Sequence, residues 1–208
     1  MLNVNNGEPA LGERLSALMA SLPEGDTTVG NVVDTLGMHG LLLLTIMLTL
    51  VFLIPVSIPG ISTVFGAVIL LIALARLTGR ALWLPLFVSK RPVATSRLRD
   101  ALALSLVWVQ RFERISRHGR WPRLVSGRAT QITANLGLVL GAVLLMAPLS
   151  LVPFSNTLPA LGLMGLSIGL LQQDGVMVLL GHLANLLSII YFAALFGGGA
   201  AAMQWMVG

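Results

Sequence analysis

The sequence predicts an all-α integral membrane protein whose apolar helices are interrupted by proline motifs. Three observations carry this expectation. The 208-residue chain is 56% hydrophobic and only 10% charged, whereas soluble domains carry about 25% charged residues. Residues 35–75, 129–173 and 175–208 contain no Asp, Glu, Lys or Arg, in runs of 41, 45 and 34 residues. Two of these runs contain paired prolines, Pro55 with Pro59 and Pro153 with Pro159. A membrane-crossing helix needs about 20 apolar residues, so the first two runs are each long enough for a pair of helical segments. A soluble domain of this size cannot hide so many uninterrupted apolar residues.

The expected architecture has two proline-broken helical hairpins, re-entrant or discontinuous, in a weak internal repeat. A cytoplasmic amphipathic helix and an N-terminal helical hairpin complete it. Residues 1–38 form the N-terminal cytoplasmic hairpin and residues 39–208 the membrane domain. Within the latter lie a first broken hairpin at 39–80, a basic interfacial segment at 81–129, a second broken hairpin at 130–175, and a last span with its tail at 176–208.

The N-terminal segment carries five acids and one base. Leu11, Leu15, Leu18, Met19 and Leu22 recur at helical spacing, as do Val29, Val32, Val33 and Leu36. Asp26 or Thr27 is the expected N-cap of the second helix. No secretory pattern opens the chain, so the spans themselves are expected to direct insertion.

The first apolar run covers residues 41–54, followed by Pro55-Val-Ser-Ile-Pro59-Gly60 and a second apolar arm over 61–77. Two prolines and a glycine within six residues stop a helix. Arms of this size reach only about 22–26 Å, short of a hydrocarbon core of about 30 Å. The break must then be buried in protein or line a wet cavity. The second uncharged run, 129–173, repeats the design, with a full span at 132–151, a break at Pro153-Phe-Ser-Asn-Thr-Leu-Pro159, and a short arm at 160–171. It ends at Gln172-Gln173-Asp174-Gly175. Paired broken segments in corresponding positions are the sequence mark of a midplane binding site. Residues 176–196 read as a good span, loosened after it by Gly197, Gly198 and Gly199.

Twelve of the thirteen basic residues lie between Arg76 and Arg128, against only Asp100 and Glu113. Short cytoplasmic loops collect Lys and Arg, so residues 76–128 and the N-terminus are expected in the cytoplasm. Residues 101–109, flanked by arginines, suit an interfacial amphipathic helix. Trp83, Trp108 and Trp121 suit headgroup depth. The basic stretch fits anionic lipid headgroups and carries no nucleic-acid-binding motif.

Several segments together resemble the ExoD family. They are Pro55-Val-Ser-Ile-Pro-Gly-Ile-Ser62, Gly79-Arg80-Ala-Leu-Trp-Leu-Pro85, Phe112-Glu113-Arg114 running into Arg120-Trp-Pro-Arg123, Pro153-Phe-Ser-Asn-Thr-Leu-Pro159 and Gln173-Asp174-Gly175. They occur in order over nearly the whole chain. The resemblance implies a bacterial inner (cytoplasmic) membrane protein linked to exopolysaccharide synthesis, and it supplies no reaction. Gln173 stands where the family pattern leads one to expect a basic residue.

Candidate binding residues follow from these features. Ser57, Ser62, Ser155, Asn156 and Thr157 sit in or beside the breaks, either binding a ligand or satisfying broken backbone. Pro55, Pro59, Gly60, Pro153 and Pro159 make the breaks. Arg80, Arg117, Arg120 and Arg123 suit phosphate or the lipid surface. Asp174 and His182, eight residues apart on one helical face, are ionisable groups close to apolar runs. For Asp174 a simple Asp-Gly turn is the alternative. Gly137 with Gly141 and Gly165 with Gly169 allow close helix packing, within the chain or in a homodimer. With no cysteine, no thiolate metal site is available, and neither a nucleophile–base pair nor a phosphate loop is evident. No cofactor is expected and an enzyme is the least supported class. Transport or handling of an anionic lipid or ion comes first, and a scaffold or regulator of the polysaccharide machinery second.

Overall fold

The computed structural model describes residues 26–53, 60–80, 82, 89–94, 121, 125, 127–147, 152 and 154–207. The chain divides into two compact units, Met1–Leu41 with Trp83–Arg117, and Leu42–Leu82 with His118–Gly208.

In the first unit a short strand β1 (Asp26–Thr28) leads into helix α1 (Val29–Leu50). β1 pairs antiparallel with a three-residue strand β2 (Pro92–Ala94), placing Thr27 opposite Val93. This small ladder is a local addition to the all-helical architecture. Thr27, Thr28 and Val93 are β-branched, which favours extended backbone in so short a piece. The helix cap differs from the expected Asp26 or Thr27. Thr28 caps α1, its Oγ1 accepting from the Asn31 backbone N–H at 3.3 Å. Gly37, at φ 57°, breaks the helical path of α1. The expected first helix of the N-terminal hairpin, at residues 11–22, and the amphipathic helix at 101–109 lie outside the described residues.

The second unit begins with the remainder of α1, which tightens into a 3-10 turn at Val51–Leu53. Helices α2 (Ile61–Thr78), α3 (Arg128–Leu145), α4 (Thr157–Gln172) and α5 (Gly175–Val207) follow. α3 packs against both α2 and α4, and α4 runs along α5. α2, α3 and the Gly175–Gly198 part of α5 are long and apolar enough to cross a membrane. Gly40–Leu53 and α4 are apolar but shorter.

Three sequence expectations change here. The second arm of the first hairpin, expected at 61–77, is an 18-residue helix one residue longer, and it is long and apolar enough to be a candidate span. The span expected at 132–151 starts earlier and stops at Leu145. Pro148 accounts for the stop, because the residue before a proline is driven out of helical geometry and proline cannot donate to the preceding turn. The three glycines at 197–199 do not end the last helix, which continues to Val207. A glycine costs a helix only about 1 kcal/mol relative to alanine, and apolar neighbours on both sides sustain it.

α4 is the centre of this unit. Residues around its whole circumference are buried, from Ala160 and Leu163 to Ile168 and Gln172, as expected for a helix apolar all round. Glycines let its neighbours approach. A Cβ on Gly181 would lie 2.7 Å from the Leu166 backbone nitrogen, and one on Gly165 would lie 3.1 Å from the Gly181 Cα. A Cβ on Gly141 would meet Leu163 at 2.9 Å. Both glycine pairs noted in the sequence are therefore occupied within one chain, at the α3–α4–α5 contacts. A homodimer would have to use other surfaces.

Outward residues such as Leu136, Leu140 and Val143 on α3 and Leu183, Leu187 and Ile190 on α5 are large, apolar and exposed. A stripe of this kind suits lipid, not water.

Gly181→Val is expected to destabilise the protein by about 1–3 kcal/mol, the usual cost of overpacking. Gly197→Ala, whose Cβ would meet nothing within 4 Å, is expected to be neutral or slightly stabilising. Thermal unfolding in detergent distinguishes the two. Equal melting temperatures would refute the close α4–α5 contact.

Candidate functional site

The first arm and the second broken hairpin meet end to end. Phe52, in the 3-10 turn, offers its backbone carbonyl to Thr157, whose Oγ1 donates at 3.0 Å. The Phe52 ring packs edge-on against Phe65 of α2, with centroids 5.8 Å apart and planes at 86°. One residue thus touches the starts of both helices that follow the breaks. Thr45 and Thr49 lie on the same face of the first arm as Phe52, and all three are buried. Thr49 Oγ1 turns back to the Thr45 and Ile46 carbonyls at 3.0 and 2.8 Å. Its hydroxyl is thereby satisfied within its own helix.

The second break builds its side of the junction from a tight turn. Ser155 N–H donates to the Val152 carbonyl at 3.3 Å, and Ser155 Oγ donates to the same oxygen at 2.8 Å. Phe154 occupies the third position of this turn at φ 63°. Its carbonyl then accepts from Leu158 N–H at 3.1 Å as α4 begins. A type II turn places glycine or asparagine at that third position. A bulky residue there carries strain of about 1–3 kcal/mol. Asn156, the residue before α4, is only 6% exposed, and its Nδ2 is a buried donor with no partner among the described residues. Ser62, in the first turn of α2, is also buried. Gly60, before it, is left-handed at φ 86°, a conformation open to glycine without penalty.

The structure therefore brings Ser155, Asn156 and Thr157 to the tip of the first arm. Ser57, Pro55, Pro59 and Pro153 lie outside the described residues, as do Arg117, Arg120 and Arg123. Pro159 is buried in the first turn of α4. Arg80 is exposed just beyond α2, its backbone N–H bonded to the Ala75 carbonyl at 3.2 Å.

Asp174 is buried, 1% exposed, and caps a helix. Its Oδ1 accepts from Val176 N–H at 2.9 Å and Met177 N–H at 3.4 Å, capping the start of α5. Its own N–H donates to the Gly169 carbonyl at 2.9 Å, closing α4. Gln173 between them is left-handed at φ 53°. This is the paired-bond helix stop usually built around glycine. α2 ends in the same way, with Gly79 left-handed and Arg80 N–H returning to Ala75. Gln173 thus takes after α4 the left-handed conformation that Gly79 takes after α2.

Asn185, Arg76 and Asn135, none of them a candidate from the sequence, form polar links between helices. Asn185, 2% exposed, donates from Nδ2 to the Gly137 carbonyl at 2.8 Å. Its Oδ1 rests against Gly141 and Gly162, so one carboxamide joins α3, α4 and α5. His182, one turn away, lies against Gly137; a Cβ on that glycine would sit 2.8 Å from the imidazole Cε1. Arg76 Nε donates to Asn135 Oδ1 at 3.3 Å, linking α2 to α3. The available signal was a lone asparagine three residues after His182 in an uncharged span, since polar side chains inside such spans are used between helices.

These features define a class, an α-helical membrane protein with a buried polar junction between interrupted helices. The particular family follows from comparison. Residues 11–194 match the family described as "Exopolysaccharide synthesis, ExoD". The chain is 40% identical over 199 residues to Protein ExoD of Rhizobium meliloti (strain 1021), covering 96% of this chain and 82% of that protein. It is 32% identical over 161 residues to the uncharacterized protein slr1875 of Synechocystis sp. (strain ATCC 27184 / PCC 6803 / Kazusa), covering 74% of this chain and 73% of that one. No solved structure matches the chain. The chain belongs to the ExoD family, as the motifs around both breaks led one to expect.

Two substitutions test the geometry. Thr157→Val leaves the buried Phe52 carbonyl without its donor and is expected to cost about 1–3 kcal/mol, with Thr157→Ser close to wild type. Asp174→Ala is expected to lose about 1 kcal/mol with the cap, whereas Asp174→Asn keeps an equivalent cap. Melting temperatures in detergent check both. An Asp174→Asn variant as unstable as Asp174→Ala would show that the carboxylate does more than cap.

Proposed function

We propose that this protein handles an anionic lipid, or an ion accompanying one, during exopolysaccharide synthesis in the bacterial inner membrane. The observation that carries the reading is the Thr157 to Phe52 hydrogen bond, which joins the flanks of the two breaks. Interrupted helices meeting at their ends are the arrangement that transporters use to expose backbone and polar groups to a substrate. In this reading the breaks lie at membrane depth as re-entrant or discontinuous hairpins, and the two halves form an internal repeat. The shared helix stops at Gly79 and Gln173 support that repeat. Asn156 is the donor at the site, assisted by Ser57, Ser62, Ser155 and Thr157. Residues 76–128 and the N-terminus face the cytoplasm, where Arg80, Arg117, Arg120 and Arg123 attract the phosphate. Membrane lipids are then the protein's principal partners.

A second reading, a non-transporting scaffold or regulator of the polysaccharide machinery, is favoured by one observation. The hydroxyls of Ser155 and Thr157 already serve backbone carbonyls. This leaves fewer polar groups for a ligand.

The test is movement of a fluorescent lipid phosphate across phosphatidylglycerol vesicles containing the purified chain. The proposal expects protein-dependent movement that falls about tenfold in Asn156→Ala, the equivalent of one lost hydrogen bond, with an unchanged melting temperature. Vesicles without movement, alongside cells in which polysaccharide secretion is restored, select the scaffold. Because the chain has no cysteine, Ser57→Cys and Phe154→Cys can each be labelled alone. Both are expected to resist a membrane-impermeant maleimide. Rapid labelling of both would place the breaks in bulk solvent and defeat the membrane-depth site.

A further inference from the structure

We infer that Phe154 is the contact for the hydrocarbon chain of the lipid handled at the adjoining junction, retained for its ring against the preference of its backbone. This rests on the proposed lipid-handling function. Two independent observations carry it.

The first is strain without burial. Phe154 sits at φ 63° in a turn closed by Ser155 N–H and the Val152 carbonyl. Glycine or asparagine satisfies that position at lower cost. Elsewhere in this unit left-handed positions are held by Gly60 and Gly79 and, among non-glycines, by Gln173 and Trp121. Phe154 differs from Gln173 in being apolar, and from Trp121 in standing two residues from a buried donor with no partner among the described residues. A phenylalanine repays strain when its ring is buried, yet Phe154 is 58% exposed. The ring therefore points to a contact outside the chain, and in an apolar surround that contact is hydrocarbon.

The second is Asn156, two residues further along. Its carboxamide is buried and its Nδ2 lacks a partner among the described residues. An apolar ring outside and a polar donor behind it match the two ends of an amphiphile. The basic balance of the sequence over residues 76–128 favours anionic lipid as the protein's neighbour over neutral lipid. The occupant is accordingly a long-chain lipid phosphate, not a second protein.

The experiment uses the full chain in detergent with fluorescent phosphatidylglycerol as probe, comparing wild type, Phe154→Gly and Phe154→Leu. Phe154→Gly is expected to melt at or above the wild-type temperature, because the turn is relieved. Its affinity for the probe is expected to fall about tenfold, as for loss of one buried large side chain. Phe154→Leu, which keeps an apolar surface, is expected to lose about threefold or less. Three results would each overturn the inference. One is probe affinity in Phe154→Gly within about twofold of wild type, less than one side chain's burial predicts. Another is a clearly lower melting temperature in Phe154→Gly, since the ring would then serve the fold. The third is phosphatidylcholine with the same chains binding as tightly as the probe to wild type, the mark of a ring merely resting in bilayer. If Phe154→Gly loses the probe while wild-type vesicles move no lipid, the contact stands and the transport reading fails.

Discussion

In hydrocarbon a backbone carbonyl or amide has no water to turn to, and every interruption of a helix must find its partner within the protein. In the second unit the described interruptions do find such partners. The first arm ends at the 3-10 turn Val51–Leu53, and Thr157 supplies a donor to its Phe52 carbonyl. The second break folds its own turn, with Ser155 doubling the bond to Val152. α2 and α4 each close with a left-handed residue and a returning N–H. Hydroxyls near the breaks are thus first structural, and Asn156 Nδ2 stands out because it is not.

Close packing supplies the second requirement. Lipid tails are as apolar as leucine, so burying leucine does not by itself drive these helices together. Contact density and polar links must do so. Glycines at 141, 162, 165 and 181 bring α3, α4 and α5 within reach, and Asn185 binds the three through one side chain. The Asn185 Oδ1 has no conventional donor among the described residues. Its position against Gly141 and Gly162 suits weak Cα–H contacts, which recur where helices meet at glycine.

Membrane class, the site of the second break and the end of α4 were legible in the sequence, because each depends on local chemistry. Uninterrupted apolar length reports a membrane helix, the proline-rich stretch from Pro148 to Pro159 marks the break, and Asp174 followed by Gly175 caps the next helix. Helix limits were less legible. Pro148 lies inside an apolar run that otherwise reads as one span, and the glycines at 197–199 look like a breaker although the helix continues through them. The small β1–β2 ladder was missed because pairing over 60 residues leaves no periodic trace in strands three residues long. At the candidate site, sequence pointed to the residues of each break. That Phe52 would meet Thr157 was not readable, because the encounter is tertiary and the apolar arm bearing Phe52 looks the same with any neighbour. Asn185 was passed over for a similar reason: its importance comes from three glycines on other helices.

The shortness of α4 bears on how the protein is made. A 16-residue helix holding Ser167 and Gln172 as buried polar residues, with buried Asn156 just before it, is a poor candidate to leave the translocon alone. At about 1.5 Å per residue it falls short of the bilayer's width, and its glycine-lined side would face lipid with little to hold. Those deficits vanish once α5 has emerged from the ribosome, because α5 supplies Gly181, Val178 and Asn185 to that same side. The Gln173–Asp174 link is short enough for the two to enter as one antiparallel hairpin. Biogenesis of this half should therefore pause until the chain has been synthesised well past Asn185.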